Sequence, residues 1–566
     1  MSSGRAGTEL ELAARVVQLV REVAGPSAEA EVVVRHDAEA LTRFANSMIH
    51  QNVAAATTGV RLRLHLDGRT AGGSTTVTGA DGLRALVERT VAAARLSPAD
   101  PAWAGLTRPA ALHVSAGHPG SGDRSGLAFG FDEATARANP ADRAERVRDF
   151  VQAAEGLETA GYCRTVYVSA AFANTAGQAV EGRTAEAAMD GIARAGGADG
   201  GPGAGGGGLR AGGGGLRAGS GGSGADGFDG GLRADGVARL AAARLSGLDG
   251  AVLGARAAAK ARAARQPIEL PPGEYEVVLE PDAVKDLMEN FATFGFNGKS
   301  WVQRQSFAKI GAQQFDPSIT IVDDPLGSRG EPAPGLPFDD EGTPRRSLVL
   351  VREGVTSAVA HDRTSAAQAG TESTGHASAY SRSWGPQTGH LRLEAAEVPA
   401  TGVIGVRDGG AGSGGASGGG GLGGGGLGGS VGGGGTGGSV GGGGSGVGGG
   451  AGDGGGAIAE SARPLVGRMR RGLLVTDLWY TRVLDPKSLV VTGLTRNGVW
   501  LVEDGEIVAA VGNLRFTQSY PQALGPGRVL GVGSESVLLP ESWGRARYAA
   551  PALHLASWNI TGNASG

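Results

Sequence analysis

The stretch Val60-Arg-Leu-Arg-Leu-His-Leu-Asp-Gly68 carries the pattern from which the fold can be read. Apolar residues alternate with basic ones, which is the two-residue period of a strand. Asp67-Gly68 is typical of a tight hairpin turn, because glycine tolerates positive φ. Residues 60–77 are therefore predicted to form a β-hairpin. Since the alternate positions are polar, we expect one face of its sheet to be solvated.

Other segments show helical or strand periodicity on either side of this hairpin. Helices are predicted at residues 8–24, 81–96, 238–265 and 281–294. Strands are predicted at residues 31–35, 161–180 with a turn near Asn174, 275–279 and 345–363, and a second hairpin at 498–511 around Asp504-Gly505. Strands and helices are segregated along the chain rather than strictly alternating, which favours the α+β class.

Two glycine-rich tracts interrupt these elements. Glycine supplies 105 of the 566 residues, and many of them lie in 196–237 and 409–456. Such tracts cannot bury a core, so the first is predicted to be a flexible linker and the second a disordered insertion. The remaining residues, about 470, suit two or three domains. The predicted divisions are an N-terminal domain at 1–195, a central region with the first part of the C-terminal domain at 238–408, and the rest of that domain at 457–566.

Composition limits the partners and the compartment. The net charge is −4 and the pI is near 6.2, so the chain lacks the basic character of nucleic-acid-binding proteins. Cys163 is the only cysteine, which excludes an intrachain disulfide and fits a reducing compartment. No signal peptide or 18-residue apolar run is present, so a membrane span is not expected. We therefore predict a cytoplasmic protein with neither nucleic-acid nor membrane partners.

Several phrases in the sequence resemble signatures of the TldD/PmbA metallopeptidase family. They are Arg43-Phe-Ala-Asn-Ser-Met-Ile-His50-Gln-Asn52, Pro337-Phe-Asp-Asp-Glu341-Gly342-Thr343, Ser373-Thr-Gly375-His, Gly472-Leu-Leu-Val-Thr-Asp-Leu and Gly498-Val-Trp-Leu-Val-Glu-Asp-Gly505-Glu-Ile. They occur in the family's order and cover most of the chain outside the glycine tracts. The resemblance implies an α/β N-terminal domain, a β-rich C-terminal domain, and a dimer enclosing a cavity in which unfolded peptides are cut.

The same resemblance implies that this chain lacks a zinc site. Catalytic members carry a His-Glu-x-x-x-His helix and a C-terminal cysteine that bind zinc, and their glutamate activates the zinc-bound water. When Glu289 is placed on that glutamate, Met288 and Thr293 occupy the histidine positions. No histidine occurs between His118 and His361, and the C-terminal region has no cysteine. The chain thus resembles the PmbA (TldE) branch, with no catalytic residue, metal or cofactor of its own and with zinc expected in a TldD-like partner.

These observations lead to one main hypothesis and two competing ones. The main hypothesis is a non-catalytic subunit of a TldD/TldE-type metalloprotease that degrades or processes unfolded peptides, paired with a metal-bearing TldD-like subunit or with itself. The chain would instead be a stand-alone peptidase or hydrolase if distant residues formed an unrecognised active site. A peptide-binding protein without a protease partner is the third hypothesis.

Two motifs are candidate binding elements. The first is His50, Gln51 and Asn52, whose side chains offer donors and acceptors to a peptide backbone, or else belong to a hydrogen-bonded element linking a helix to a strand. The second is Phe338, Asp339, Asp340, Glu341 and Gly342. Its acidic residues suit a hard cation, but Pro337 and Gly342 also fit a simple tight turn, and a subunit contact is a further option.

Three other features are predicted to carry no function. Gly295-Phe-Asn-Gly-Lys-Ser300 ends like a phosphate-binding loop, but it lacks the first glycine of that motif and follows a predicted helix. His361-Asp362 is accompanied by no nucleophile signature. Cys163 lies in a strand-like run, where a buried and unreactive thiol is expected.

Overall fold

The computed structural model describes residues 8–113, 131–196, 234–327, 335–396, 456–541 and 544–564. Nearly all of both glycine tracts lies outside these residues. The predicted flexible linker at 196–237 and the predicted disordered insertion at 409–456 therefore lie outside the described residues as well. No helix among the described residues is long and apolar enough to span a membrane.

Strands occur in every long described part of the chain. The strands are β1 Glu29–Ala45, β2 Met48–Leu66, β3 Arg69–Thr75, β4 Glu158–Asn174, β5 Ala179–Ala195, β6 Ala234–Ala242, β7 Gly273–Leu279, β8 Ile319–Asp323, β9 Leu348–Arg352, β10 Val355–Thr356, β11 Leu391–Ala395, β12 Arg471–Asp485, β13 Val490–Glu503, β14 Glu506–Ala510, β15 Leu514–Ser519, β16 Val529–Val532, β17 Val537–Pro540, β18 Arg547–Ala550 and β19 Leu553–Asn563.

Helices connect or cover these strands. They are α1 Thr8–Ala24, α2 Ala80–Leu96, α3 Glu133–Ala136, α4 Pro140–Ala153, α5 Gly250–Ala263, α6 Pro281–Asn290, α7 Gly298–Val302, α8 Arg363–Ala369, α9 Ser381–Trp384, α10 Arg463–Val466 and α11 Tyr520–Ala523. A 3-10 turn at Leu245–Gly247 and a π-helical turn at Phe291–Gly295 complete the set. Helix and sheet are both abundant and lie largely in separate layers, so the predicted α+β class is confirmed.

The N-terminal half is built on an antiparallel sheet with strand order β3-β2-β1-β4-β5-β6. The predicted hairpin is present as β2 and β3, and its turn has positive φ at Asp67 and Gly68. One face of the sheet carries the helices: α1 lies over β1 and β4, α2 over β2 and β3, and α5 over β5 and β6, with α4 packed beside α5 over β1 and β4. Val16, Leu19 and Val20 of α1 recur at helical spacing and are almost fully buried. Full burial of each such side chain stabilises the folded state by about 1.5–3 kcal/mol.

The other face of this sheet contacts the C-terminal half of the chain. Phe338 packs there against Val33 and Phe172, and Arg61 and Arg63 form ion pairs with carboxylates of residues 340 and 341. The expectation that the polar face of the hairpin is solvated is therefore wrong. Its basic residues are partly buried because acidic residues from a distant segment neutralise them.

The C-terminal half contains two further sheets around a large apolar core. One sheet is mixed, with order β10-β9-β8-β11-β18-β17. The other has order β12-β7-β19-β15-β13-β14, and pairing of β12 with β13 closes it into a barrel. The core between them includes most apolar residues of α6 and an aromatic cluster centred on Phe291.

Most predicted elements are present, with three corrections. The strand predicted at 31–35 runs from residue 29 to residue 45. It is longer than predicted because it pairs with β2 on one side and β4 on the other along most of this length. Residues 234–242 form strand β6, whereas 234–237 were predicted as linker and 238–242 as helix. Only 348–352 and 355–356 of the segment 345–363 form strands. The alanine-rich composition of β6 favours a helix, but tertiary pairing with β5 decides its structure.

Candidate functional site

Helix α6 is the element that the family resemblance places at the functional site. It begins at Pro281, directly after β7, where proline is favoured because its missing N–H needs no partner. The helix is buried nearly all round, including Asp282, Lys285, Asp286 and Asn290. Buried polar groups are costly unless they are hydrogen-bonded or paired. The surroundings of α6 must therefore supply partners, and they do so from both halves of the chain.

Arg239 of β6 joins α6 to both halves. Its guanidinium donates to Asp190 of β5 at 2.9 Å, to Asp282 of α6 at 3.1 Å and to Asp477 of β12 at 3.0 Å. Asp477 also accepts a bond from Asn497 at 2.8 Å. Burial lowers the pKa of Arg239, but the three carboxylates outweigh it and raise this pKa well above the usual value. The guanidinium stays charged and fixes the first turn of α6.

Asp286 forms a second buried centre one turn further along α6. Its carboxylate accepts hydrogen bonds from the hydroxyls of Thr481 and Tyr520, both at 2.7 Å, and from the Asn290 amide at 3.2 Å. Burial and the nearby Glu289 raise the pKa of Asp286 to about 7. This group can therefore exchange a proton near neutral pH, but it is enclosed by packed residues.

The three positions aligned with the family's zinc motif have different surroundings in the structure. Met288 is fully buried in the C-terminal core. Glu289 is largely buried and forms an ion pair with Lys285, with 3.1 Å between Nζ and Oε1. Thr293 lies in the π-helical turn after α6. An ammonium group beside the one carboxylate and a thioether packed in the core do not fit a zinc ion, which needs about three nitrogen, oxygen or thiolate ligands.

A row of polar side chains leads from the α6 cluster across the N-terminal sheet. Gln51, Arg43, Tyr162, Asp190 and Arg239 are direct neighbours in the registers of successive strands, so they share one face. Exposure falls along this row, from exposed Gln51 to buried Arg239. Burial and Asp190 raise the pKa of Tyr162 to about 12, so its hydroxyl stays protonated. The row connects the surface to α6.

The structure places His50, Gln51 and Asn52 near the start of strand β2. All three are exposed, and they follow a turn between two strands rather than a link from helix to strand. The Asn52 side chain accepts a bond from Thr42 at 2.6 Å. Only Gln51 lies in the polar row that reaches α6.

Residues 338–342 form a turn whose carboxylates are already bonded. Asp339 accepts the backbone N–H groups of Glu341, Thr343 and Ala377 at 2.8–2.9 Å. Burial and Glu341 raise the pKa of Asp339 to about 7. Asp340 pairs with Arg61 at 2.8 Å. These partners occupy the oxygens that a hard cation would require.

Glu341 belongs to a buried charge cluster that fastens this turn to the N-terminal sheet. It pairs with Arg63 at 3.0 Å and with Arg363 at 3.1 Å, and both arginines also pair with Glu31. Burial opposes ionisation, but the two arginines lower the pKa of Glu341. Burial raises the pKa of Glu31. Both arginines lie over the ring of Trp103. The cluster thus contains two carboxyl groups and two guanidinium groups.

A cavity of about 320 Å³ lies beside this cluster, between the N-terminal sheet and the first residues of α9 with the segment before them. Its charged lining consists of three acidic residues, Glu31, Asp340 and Glu341, and three basic ones, Arg61, Arg63 and Arg382. Because acidic and basic groups are balanced, the cavity has no preference for one sign of charge.

A threonine, a histidine and an aspartate also meet in the C-terminal half. His376 lies 2.8 Å from the Thr374 hydroxyl and 2.9 Å from the Asp323 carboxylate. Burial opposes ionisation, but His376 lowers the pKa of Asp323 to about 2. His376 and Asp323 are both about 2% exposed or less, and the threonine hydroxyl also accepts the His361 N–H at 2.7 Å. This arrangement fastens the loop at residues 374–376 to the end of β8, and its burial leaves no access for a substrate.

Three features were predicted to carry no function: the loop at residues 295–300, Cys163 and His361. The contacts of each one agree with a structural role. The Lys299 ammonium donates to the carbonyls of Arg382 and Ser383 at 2.7 and 2.9 Å. Burial raises the pKa of Cys163 to about 12, so the thiol is protonated. Burial lowers the pKa of His361 to about 4, so it is neutral at pH 7.

Sequence reasoning missed the residues that surround α6. Arg239 lies in the Ala/Arg/Leu-rich run 238–265, which was predicted to be a helix, and Tyr520 lies in no motif. Asp477 lies within the quoted phrase 472–478, which was the one available signal. A buried aspartate such as Asp477 in an apolar strand indicates that a cationic or hydrogen-bonding partner must exist. It does not indicate which residue that partner is.

Two models of one family match the sequence. The PmbA/TldA metallopeptidase C-terminal domain matches residues 272–406 and 457–562, and PmbA/TldA metallopeptidase domain 1 matches residues 30–94. No curated protein matches the chain.

Solved structures share the fold across nearly the whole chain. TldE from Thermococcus kodakarensis has a TM-score of 0.69 and 17% identity, covering 97% of this chain and 100% of that one. A putative modulator of a DNA gyrase from Thermotoga maritima has a TM-score of 0.66 and 16% identity, with 97% and 99% covered. A putative modulator of DNA gyrase from Bacteroides thetaiotaomicron has a TM-score of 0.65 and 15% identity, with 98% of each chain covered.

Proposed function

Because the chain belongs to the TldD/PmbA metallopeptidase family, we propose that it is a non-catalytic subunit of a TldD/TldE-type metalloprotease. A metal-bearing, TldD-like subunit would bind the zinc and hydrolyse unfolded peptides. This chain would complete the complex and help to shape the space that peptides enter. We also propose a cytoplasmic location, because a single cysteine, Cys163, fits a reducing compartment.

The ion pair between Lys285 and Glu289 is the observation that carries this proposal. In a catalytic member the glutamate must act as a base on zinc-bound water, and two histidines on the same helix must hold the metal. Here Glu289 is neutralised by an ammonium at 3.1 Å, while Met288 fills the core. Restoring a zinc site would require a new ligand set and removal of a positive charge. The buried network around Arg239 instead gives α6 a structural role.

The first experiment is to measure zinc per chain in the full-length protein purified alone, by elemental mass spectrometry. We expect much less than one zinc per chain, also after incubation with zinc followed by desalting. Close to one tightly bound zinc per chain would refute the proposal and favour a stand-alone enzyme with an unrecognised ligand set.

The second experiment tests the role in a complex. The chain is mixed with a TldD-like subunit from the same source, and hydrolysis of an unfolded peptide is followed. We expect hydrolysis to require both chains. It should be abolished when the partner's motif glutamate is changed, but retained within about twofold with Glu289→Gln here, since this glutamate would not touch the reacting water. A partner that is fully active alone would contradict the proposal.

A further inference from the structure

The cavity of about 320 Å³ lies on the face of the N-terminal sheet opposite to α1 and α2. Glu31 of β1, Arg63 of β2 and Gly72 of β3 are direct neighbours in the strand registers, so they share this face. All three line the cavity, and residues from 340–341 and 378–382 complete the lining. None of the lining residues belongs to α6 or to the zinc-motif positions, so this inference does not rest on the proposed function.

The space above Gly72 is open. A Cβ atom built on this glycine meets only the Leu62 carbonyl oxygen within 4 Å, at 3.7 Å. A glycine inside a strand often marks a place where a ligand approaches the backbone closely. The cavity volume equals that of roughly ten water molecules, since each one takes about 30 Å³ in the liquid. It therefore suits a ligand of about ten non-hydrogen atoms, at the small end of ligand-binding pockets.

Strand β3 also offers backbone groups along the cavity. It is the edge strand of its sheet, and β2 is its partner among the described strands. Leu66 and Arg69 flank a two-residue turn and so form a hydrogen-bonded pair, which means that odd-numbered residues of β3 bond to β2. The N–H and C=O groups of Thr70, Gly72 and Ser74 therefore point away from β2, and all three residues line the cavity. These groups can donate to and accept from a polar ligand.

The charged groups of the lining differ in how firmly they are paired. Glu31, Glu341 and Arg63 belong to the buried charge cluster and are bonded to one another. Arg61 and Asp340 form a single ion pair at 2.8 Å, with side chains 37% and 26% exposed. Such a partly exposed pair contributes only about 0–1 kcal/mol. Both groups also have hydrogen-bonding capacity left for a second partner.

Arg382 is a lining cation without a charged partner. The residue is exposed, and no ion pair or hydrogen bond joins its guanidinium to another described residue. Its backbone, in contrast, is held in place, because the Lys299 ammonium donates to its carbonyl at 2.7 Å. A guanidinium in this state is suited to a carboxylate, which it can bind through two parallel N–H donors.

We propose that this cavity binds a small zwitterion of the amino-acid type, which carries one carboxylate and one ammonium group. The carboxylate lies between the guanidinium groups of Arg382 and Arg61, the ammonium lies against Asp340, and the rest of the molecule covers Gly72. A ligand with a single charge would leave one sign of the lining without a partner, whereas a zwitterion complements both. Its zero net charge agrees with a lining of three acidic and three basic residues. Free amino acids and the ends of short peptides share this chemistry.

Thermal melts of the full-length protein test the class of ligand. The probes are the standard L-amino acids, each at millimolar concentration, and L-alanyl-L-alanine. A ligand that binds only the folded chain raises the melting temperature, and we expect a rise of about 2 °C or more with at least one probe. Binding of amino acids without the dipeptide identifies free amino acids as the ligand, and binding of the dipeptide identifies short peptides. No response to any of these probes would overturn the proposal.

Blocked forms of the best probe test the two charges. N-acetylation removes the ammonium charge, and amidation removes the carboxylate. By isothermal titration calorimetry, we expect each change to raise the dissociation constant at least about tenfold. Arg382→Gln should weaken binding of the free probe by a similar factor but leave the affinity for the amide unchanged. The matched control is Arg346→Gln, which is exposed and outside the lining. Unchanged affinity of both blocked forms, or equal effects of the two substitutions, would overturn the proposal.

Filling the cavity tests the location without altering a charge. Gly72→Val places a branched side chain in the open space and should abolish the thermal shift. The matched control is Gly59→Val in β2, where an added Cβ meets nothing within 4 Å and which does not line the cavity. We expect the control to keep the shift of the wild type. Equal shifts in the two variants would overturn the proposal. If Gly72→Val does not fold, the comparison of Arg382→Gln with Arg346→Gln decides.

Discussion

Replacing Arg239 by methionine should destabilise the protein by removing the link between its two halves. The substitution keeps most of the side-chain volume but leaves the carboxylates of Asp190, Asp282 and Asp477 without their shared cation. Asp282 and Asp477 are almost fully buried. Removing one partner of a buried ion pair costs about 3–5 kcal/mol. We expect a loss in this range at pH 8.

The loss should depend on pH in a defined direction. Burial already raises the pKa of Asp282, and loss of the arginine raises it further. A carboxyl whose folded pKa lies above its unfolded value binds more protons when folded, so stability falls as pH rises through that interval. The deficit of Arg239→Met should therefore be largest above the folded pKa of Asp282 and should shrink as pH falls toward 5.

Urea denaturation followed by tryptophan fluorescence at pH 5 and pH 8 measures this effect. The matched control is Arg471→Met, which removes an exposed ion pair with Glu503 and should cost no more than about 1 kcal/mol at either pH. A deficit for Arg239→Met below that of the control at pH 8 would refute the reasoning. So would a deficit that grows as the pH is lowered.

Three further substitutions test the packing of the two halves. Asp286→Asn should flatten the pH dependence of the urea midpoint between about 4 and 7, because a folded pKa of about 7 makes the wild type lose stability as pH rises through this range; an unchanged profile would contradict this. Gly342→Ala should cost about 2 kcal/mol or more, since φ is positive and a phenylalanine ring occupies the space, whereas Gly370→Ala, with positive φ and open space, should cost about 1 kcal/mol; equal melting temperatures would argue against the steric term. Lys260→Met should lower stability by about 3–5 kcal/mol by leaving Glu280 buried and charged, and adding Glu280→Gln should recover most of it; no recovery in thermal melts would show that the ion pair is not the cause.

The residues around α6 show why the site was only partly predictable. The family resemblance located the helix at 281–294 and identified Met288 and Thr293 as positions without zinc ligands. It gave no indication of Arg239 or Tyr520, which approach α6 from elements about 40 and 230 residues away along the chain. Local patterns report the face of one element, whereas a buried charge network depends on which elements meet.

The hairpin at residues 60–77 shows the same limit for the fold. Alternation correctly predicted the strands and their turn. Polar residues at alternate positions, such as Arg61 and Arg63, indicate a solvated face whether or not an acidic segment covers it. Here Glu341, far along the chain, contacts Arg63 and converts that face into the junction between two halves. The strand β6 was missed because alanine-rich sequence favours a helix until pairing with β5 is available.

The sequence by itself determined the family, the α+β class, most helices and strands, and the lack of histidine and cysteine ligands at the expected zinc site. These properties follow from periodicity, turn chemistry and residue identity, which are local. Only the tertiary structure decided which carboxylates Arg239 joins and where the residue 338–342 turn docks. These properties depend on contacts between distant segments, whose energies come from burial and charge pairing that no single stretch of sequence contains.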